Sequence, residues 1–206
     1  MFPDRLYSDV AEYLRAYALE VRTAFASIDP ELLRNAVSCI EDTVIREASI
    51  FVCGNGGSSA IADHFVCDYV KGIGADTHFR PRVASLSSNM PIITAIANDT
   101  SYERIFEAQL ASLGRPGDLL IAVSSSGNSP NIIAALEWAN RNQVKSIAIT
   151  GFTGGGGRKL ADIALHVDSC NYGIVEDVHQ SLMHVMAQFI RQSRLIDPSA
   201  MKKIKF

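Results

Sequence analysis

Apolar residues in the first 46 positions recur at three- and four-residue spacing. Leu6, Val10, Tyr13, Leu14, Tyr17, Val21 and Phe25 form one stripe, and Leu32, Leu33, Val37, Ile40 and Val44 form a second. That period belongs to a helix with one covered face. Between the stripes, Asp29-Pro30 reads as an N-cap followed by proline at the first helical position. Two helices thus precede the first strand and can cover a sheet or pack on a neighbouring subunit.

From residue 49 the pattern alternates. Ser49 to Cys53, Arg82 to Leu86, Asp118 to Val123, Lys145 to Thr150 and Ile163 to Val167 are short apolar runs of strand length. Helical stretches separate them: one reaching to about Lys71, then Pro91 to Ala97, Tyr102 to Leu113, Pro130 to Asn140, and a long last helix from near Gly173. Gly151 to Gly157 reads as a flexible loop. Apolar strands joined through helices place the chain in the α/β class, with a five-stranded parallel sheet covered on both faces in a three-layer sandwich. No repeat, linker or low-complexity segment breaks the run, so residues 1–206 read as one domain, with 1–46 as its N-terminal helices.

Composition narrows the function classes. Apolar residues make up 48% and charged residues 20% of the 206, ample for a packed core. The net charge of −3 argues against nucleic-acid binding through a basic face. No window approaches 18 consecutive apolar residues and the N-terminus has no leader pattern, so no membrane association is expected. Cys39, Cys53, Cys67 and Cys170 are scattered without a CxxC, which reads as buried thiols in a reducing cytoplasm.

Two loops each leave the C-terminal end of a strand and open a helix, where ligands bind in open parallel sheets. In Gly54-Asn55-Gly56-Gly57-Ser58 the glycines permit a tight turn and close backbone approach. In Ser124-Ser125-Ser126-Gly127-Asn128-Ser129, hydroxyls and a helix N-terminus make an uncharged phosphate cradle. Each is also compatible with an ordinary capped turn. Neither fits GxGxxG, and GxxxxGK[ST] is absent. These features point to a small phosphorylated metabolite and no nucleotide cofactor.

Ionisable residues supply the chemistry. His64 and Asp68 are four apart on the helix after the first loop, and Glu176, Gln180 and His184 lie along a drifting stripe of the last helix. A carboxylate and a histidine from each helix would make either an acid–base pair or a divalent-metal site. Alternatively Asp68 simply pairs with Lys71. Asn98-Asp99-Thr100 is a turn within reach of a polar substrate, while His78 and His166 stand apart from any carboxylate and read as structural.

Taken together, Gly54-Asn55-Gly56-Gly57-Ser58, His64-Phe65, Asn98-Asp99 and Ser124 to Ser129 resemble the sugar isomerase (SIS) domain family in its phosphoheptose isomerase branch, across essentially the whole chain. The resemblance implies a flavodoxin-like sheet and a homotetramer with sites at subunit interfaces. The long apolar stripe of the first helix, hard for a monomer of this size to cover, places Leu6, Tyr13, Tyr17 and Val21 partly buried against a neighbour. The resemblance also implies conversion of sedoheptulose 7-phosphate to D-glycero-D-manno-heptose 7-phosphate. Substrate contacts would come from Asn55, Gly56, Gly57, Ser58, Asn98, Asp99, Ser124, Ser125, Ser126, Ser129 and Glu176. Asp68 would act as base and His184 as acid, and His64, Asp68, Glu176 and His184 would hold one zinc per site. The family usually carries glutamate where Asp68 stands and glutamine where Glu176 stands. The rival expectation is a non-catalytic sugar-phosphate binder resembling the family's replication-initiator-associating member.

Overall fold

The computed structural model describes residues 2–202. In chain order the elements are α1 (Val10–Ala26), α2 (Pro30–Ile45), β1 (Ser49–Gly54), α3 (Gly57–Cys67), β2 (Arg82–Ser85), α4 (Met90–Asp99), α5 (Ile105–Leu113), β3 (Leu119–Ser124), α6 (Pro130–Arg141), β4 (Lys145–Thr150), α7 (Gly155–Leu160), β5 (Ile163–His166) and α8 (Tyr172–Ser193). A π-helical turn, Asp68–Ile73, continues directly from α3, and a 3₁₀ turn, Tyr102–Arg104, precedes α5. All five strands are parallel, in the order β2-β1-β3-β4-β5.

Strand side chains alternate between two cores, as a sheet covered on both faces requires. Ile50, Val52, Leu119, Ile121 and Val123 join residues of α2, α3 and α8 in one cluster, while Phe51, Cys53, Leu120 and Ala122 join α5 and α6 in the other. Asp29 caps α2 as its sequence signals, its carboxylate accepting from the N–H groups of Glu31 and Leu32.

One open placement is filled, and two expectations change. The stripe of α1 turns inward on its own chain: Tyr13, Tyr17, Val21 and Phe25 pack on the first cluster, and buried Phe2 sits among the rings of Tyr7, Tyr13 and Tyr17. Tyr17 also donates its hydroxyl to Asp177 of α8 at 2.7 Å. Leu6, by contrast, is fully exposed, with Val10 and Leu14 largely so. The glycine run from 151 to 157 is not one loop; α7 begins inside it at Gly155, launched by left-handed Gly154 at φ 77°. Of the four free thiols only Cys53 is fully buried, and burial pushes it up to about 12, whereas Cys67 and Cys170 are exposed.

Candidate functional site

β1 and β3 are neighbours, with Gly54 opposite Val123, so the glycine loop and the serine loop emerge side by side. The strand order reverses at this pair, and an open α/β sheet leaves its crevice there. Sequence dictates the closeness of both turns. A Cβ on Gly54 would lie 2.4 Å from the Ser58 carbonyl oxygen, and Gly56, which caps α3, has a φ of 54°.

Serine hydroxyls line the crevice with unequal freedom. Ser124 Oγ accepts from the Gly127 N–H and Ser126 Oγ from the Asn128 N–H, both at 3.2 Å. They shape the loop before they meet any ligand. Ser125 differs: it is 5% exposed and its Oγ has no hydrogen-bond partner. A buried hydroxyl left this way costs free energy until something fills the gap. A cavity of about 160 Å³ lies here, lined by Asn55, Ser58, Ser124 to Ser126, Ser129, Tyr172 and Glu176. Its lining holds no lysine or arginine. An anion would be met by hydroxyls and by the N-terminal amides of α6. The Glu176 carboxylate packs on Gly57, where an added Cβ would come within 2.7 Å of it, in the first turn of α3. A carboxylate is favoured at that helix end.

Farther along α8 lies a second group. His184 Nδ1 is 2.7 Å from Asp68 Oδ2, and His64 Nε2 is 3.4 Å from Asp68 Oδ1. The two imidazole rings meet edge to face with centroids 5.0 Å apart. Gln180 Nε2 approaches His64 Nδ1 at 3.2 Å and His184 Nε2 at 3.0 Å. Only one proton arrangement satisfies all four contacts with both rings neutral. The amide donates two N–H groups, each histidine accepts one and turns its other N–H toward Asp68, which accepts from His184 and lies within ion-pair range of His64. Asp68 owes its position to the π-helical turn, which opens with it. Such turns are frequent at functional sites.

The structure therefore brings His64, Asp68 and His184 together and leaves Glu176 apart from them, in the serine cavity. Glu176 precedes His184 by eight residues, a rise of about 12 Å along a helix. Asn98 and Asp99 are exposed at the end of α4 and line neither group, Asn98 donating to its neighbour Asp99 at 2.8 Å. The alternative pairing of Asp68 with Lys71 gives way to the two histidines. Gln180 stood on the sequence stripe with no role assigned. Its spacing of four before His184 was the available signal.

One more histidine of α8 lies against the ends of β4 and β5, near Thr150 and His166. His179 is fully buried and neither ring nitrogen has a hydrogen-bond partner. Burial pushes it down to about 4, from 6.5; the Thr150 backbone opposes this without reaching hydrogen-bond geometry, and His166 adds to it. The unfolded chain takes up this proton near pH 6.5 and the fold resists it until about 4. Stability contributed by neutral His179 is thus present above pH 6.5 and falls through that window, by about 3 kcal/mol in total. His179→Leu should flatten this part of the stability–pH curve in denaturant titrations. Parallel curves for parent and variant between pH 6.5 and 4 would contradict the assignment.

Comparison with known proteins matches residues 12–151 to the SIS domain. A phosphoheptose isomerase of Alteromonas mediterranea is 36% identical, over 85% of this chain and 90% of its own length. The solved phosphoheptose isomerase of Neisseria gonorrhoeae superposes with a TM-score of 0.81 at 29% identity, covering 88% of this chain and 98% of that one. That of Francisella tularensis gives 0.80 at 29% identity, over 89% and 96%.

Proposed function

Because the chain belongs to the SIS domain family, we propose that it is an aldose–ketose isomerase of phosphorylated sugars, with sedoheptulose 7-phosphate as substrate and D-glycero-D-manno-heptose 7-phosphate as product. The observation that carries this reading is the pairing of a hydroxyl-lined cavity at a helix N-terminus with a carboxylate–imidazole cluster along one helix. Glu176 in the cavity and His184 in the cluster stand about 12 Å apart along α8, so one substrate has to span that distance.

In this reading the phosphate sits against Ser125, Ser124, Ser126 and Ser129, and the carbonyl end reaches Asp68 and His184. Asp68 removes the proton on the carbon beside the carbonyl, and the electron pair forms the double bond of an enediol. For the acid step His184 Nε2 exchanges its Gln180 contact for the substrate, and in its protonated form it supplies the proton that the former carbonyl oxygen takes up. In the second half Asp68 returns its proton to the neighbouring carbon, and His184 recovers one from the other hydroxyl as the new carbonyl forms. His64 and Gln180 hold the pair in register, and Asn55, Gly56, Gly57, Ser58 and Glu176 face the sugar chain.

His64, Asp68 and His184 offer two imidazole nitrogens and a carboxylate oxygen within 4.8 Å of one another, a donor set that suits a catalytic zinc with an open position. Zinc bound there would polarise the substrate oxygens. Among the described residues no helix is long and apolar enough to cross a membrane. Exposed Val10 and Leu14 on α1 and Val185 and Phe189 on α8 support a homo-oligomer, a tetramer on the family pattern. Four free thiols and a phosphorylated substrate support a cytoplasmic setting.

The test is to incubate the protein with sedoheptulose 7-phosphate and follow the heptose product by NMR. Ser125→Ala should weaken binding of the sugar phosphate by about 2 kcal/mol, since a hydrogen bond to a charged group contributes about 1.5–3 kcal/mol. Tight binding without turnover would replace the isomerase with a sugar-phosphate binder. Unaltered binding by Ser125→Ala would remove the cradle assignment.

A further inference from the structure

Asn131 is the second residue of α6 and is 1% exposed. A buried amide must find partners for an oxygen and two N–H groups. Its partner lies across the junction of β1 and β3. Asn55 Nδ2 donates to Asn131 Oδ1 at 2.8 Å, and Asn131 Nδ2 donates back to Asn55 Oδ1 at 2.9 Å. The Tyr102 hydroxyl donates to the same Asn55 oxygen at 3.1 Å.

The consequence falls on Asn55. Its oxygen receives two donors, which uses both lone pairs, and one of its N–H groups is committed to Asn131. A single N–H remains, on a side chain that lines the serine cavity. One hydrogen bond alone would let the amide rotate and present oxygen in place of nitrogen. A reciprocal pair with a third donor on the oxygen does not. Asn131 itself is absent from the cavity lining. We propose that Asn131 is a positioning residue for substrate recognition. It holds Asn55 as a donor toward an oxygen of the sugar phosphate and ties the glycine loop to the serine loop.

The proposal rests on the sugar-phosphate reading of the cavity, and a double-mutant cycle separates the two. Kinetics with sedoheptulose 7-phosphate and thermal unfolding are measured for the parent, Asn55→Ala, Asn131→Ala and the double variant. Each single variant should raise KM on the order of tenfold, with kcat held within about twofold. The double variant should match Asn55→Ala, because Asn131 acts only through Asn55. A structural role alone would lower Tm and reduce kcat while leaving KM unmoved. Multiplying losses, or a fall in kcat with KM unmoved, overturn the proposal and leave the sugar-phosphate reading standing. An Asn55→Ala variant with the parental KM overturns both. Should Asn131→Ala fail to fold, Asn131→Thr gives the same comparison.

Discussion

Asp68→Asn should lower turnover of the sugar phosphate by a factor of ~10²–10⁴, the usual contribution of a positioned acid–base group. The loss has two sources. The amide cannot take up a proton from carbon, and its NH₂ group faces the ring N–H that the carboxylate accepted from His184. At least one imidazole must then change tautomer, which also disturbs the contact from Gln180. Asp68→Glu keeps the charge and one more methylene, so it should retain far more activity than Asp68→Asn. His184→Ala should cost at least ~100-fold by the same reasoning, with phosphate binding intact because the serine cavity lies two turns of α8 away. Steady-state kinetics on the three variants decide the matter. Equal activity in Asp68→Asn and the parent would remove Asp68 from the chemistry.

Gly127→Ala should destabilise the fold by about 4 kcal/mol, the sum of a left-handed backbone penalty and an unrelieved overpacking cost. Gly127 sits at φ 66°, and a Cβ there would lie 2.0 Å from the Gly154 carbonyl oxygen. Backbone is the obstacle, so no side chain can swing aside. Relief requires the segment before α7 to move off the serine loop. That would break the bond from Gly157 N–H to the Gly127 carbonyl at 2.8 Å and the one from Gly156 N–H to Asn128 Oδ1 at 3.1 Å. Denaturant unfolding measures the loss, and sugar-phosphate affinity should fall with it because the cradle loses its brace. A change within the ~0.5 kcal/mol typical of surface sites would show that the two segments part freely.

Periodicity made most of the architecture legible. β4 spans the residues its apolar run marks, Lys145–Thr150, because a central parallel strand is apolar on both faces and bounded by polar turns. α7 was hidden because three glycines open it, and glycine carries a loop signal even where a left-handed cap starts a helix. In the site, spacing of four put His64 with Asp68 on one side and Gln180 with His184 on the other. Which members meet depends on how α3 crosses α8, and a drifting stripe does not contain that angle. Glu176 parted from His184 for a simpler reason, the eight-residue spacing that puts about 12 Å of helix between them. Asn131 and Tyr102 gave no local signal at all. Their importance comes from Asn55, 76 and 47 residues away in the chain, and such pairings exist only after folding.

The cluster on α3 and α8 joins residues 116 positions apart. At ribosomal rates of about 5–20 residues per second, His184 follows Asp68 out of the ribosome by roughly 6 to 23 s. Throughout that interval the nascent chain carries its complete glycine loop and half an acid–base pair, with the face that α8 will cover open to solvent. The same ordering makes catalysis a late event in biosynthesis: a chain halted between β4 and α8 can build four or five strands and still hold only Asp68 and His64 of the site. Activity in a cell then requires translation through α8, and chaperone demand should peak while the α3 surface waits for its cover.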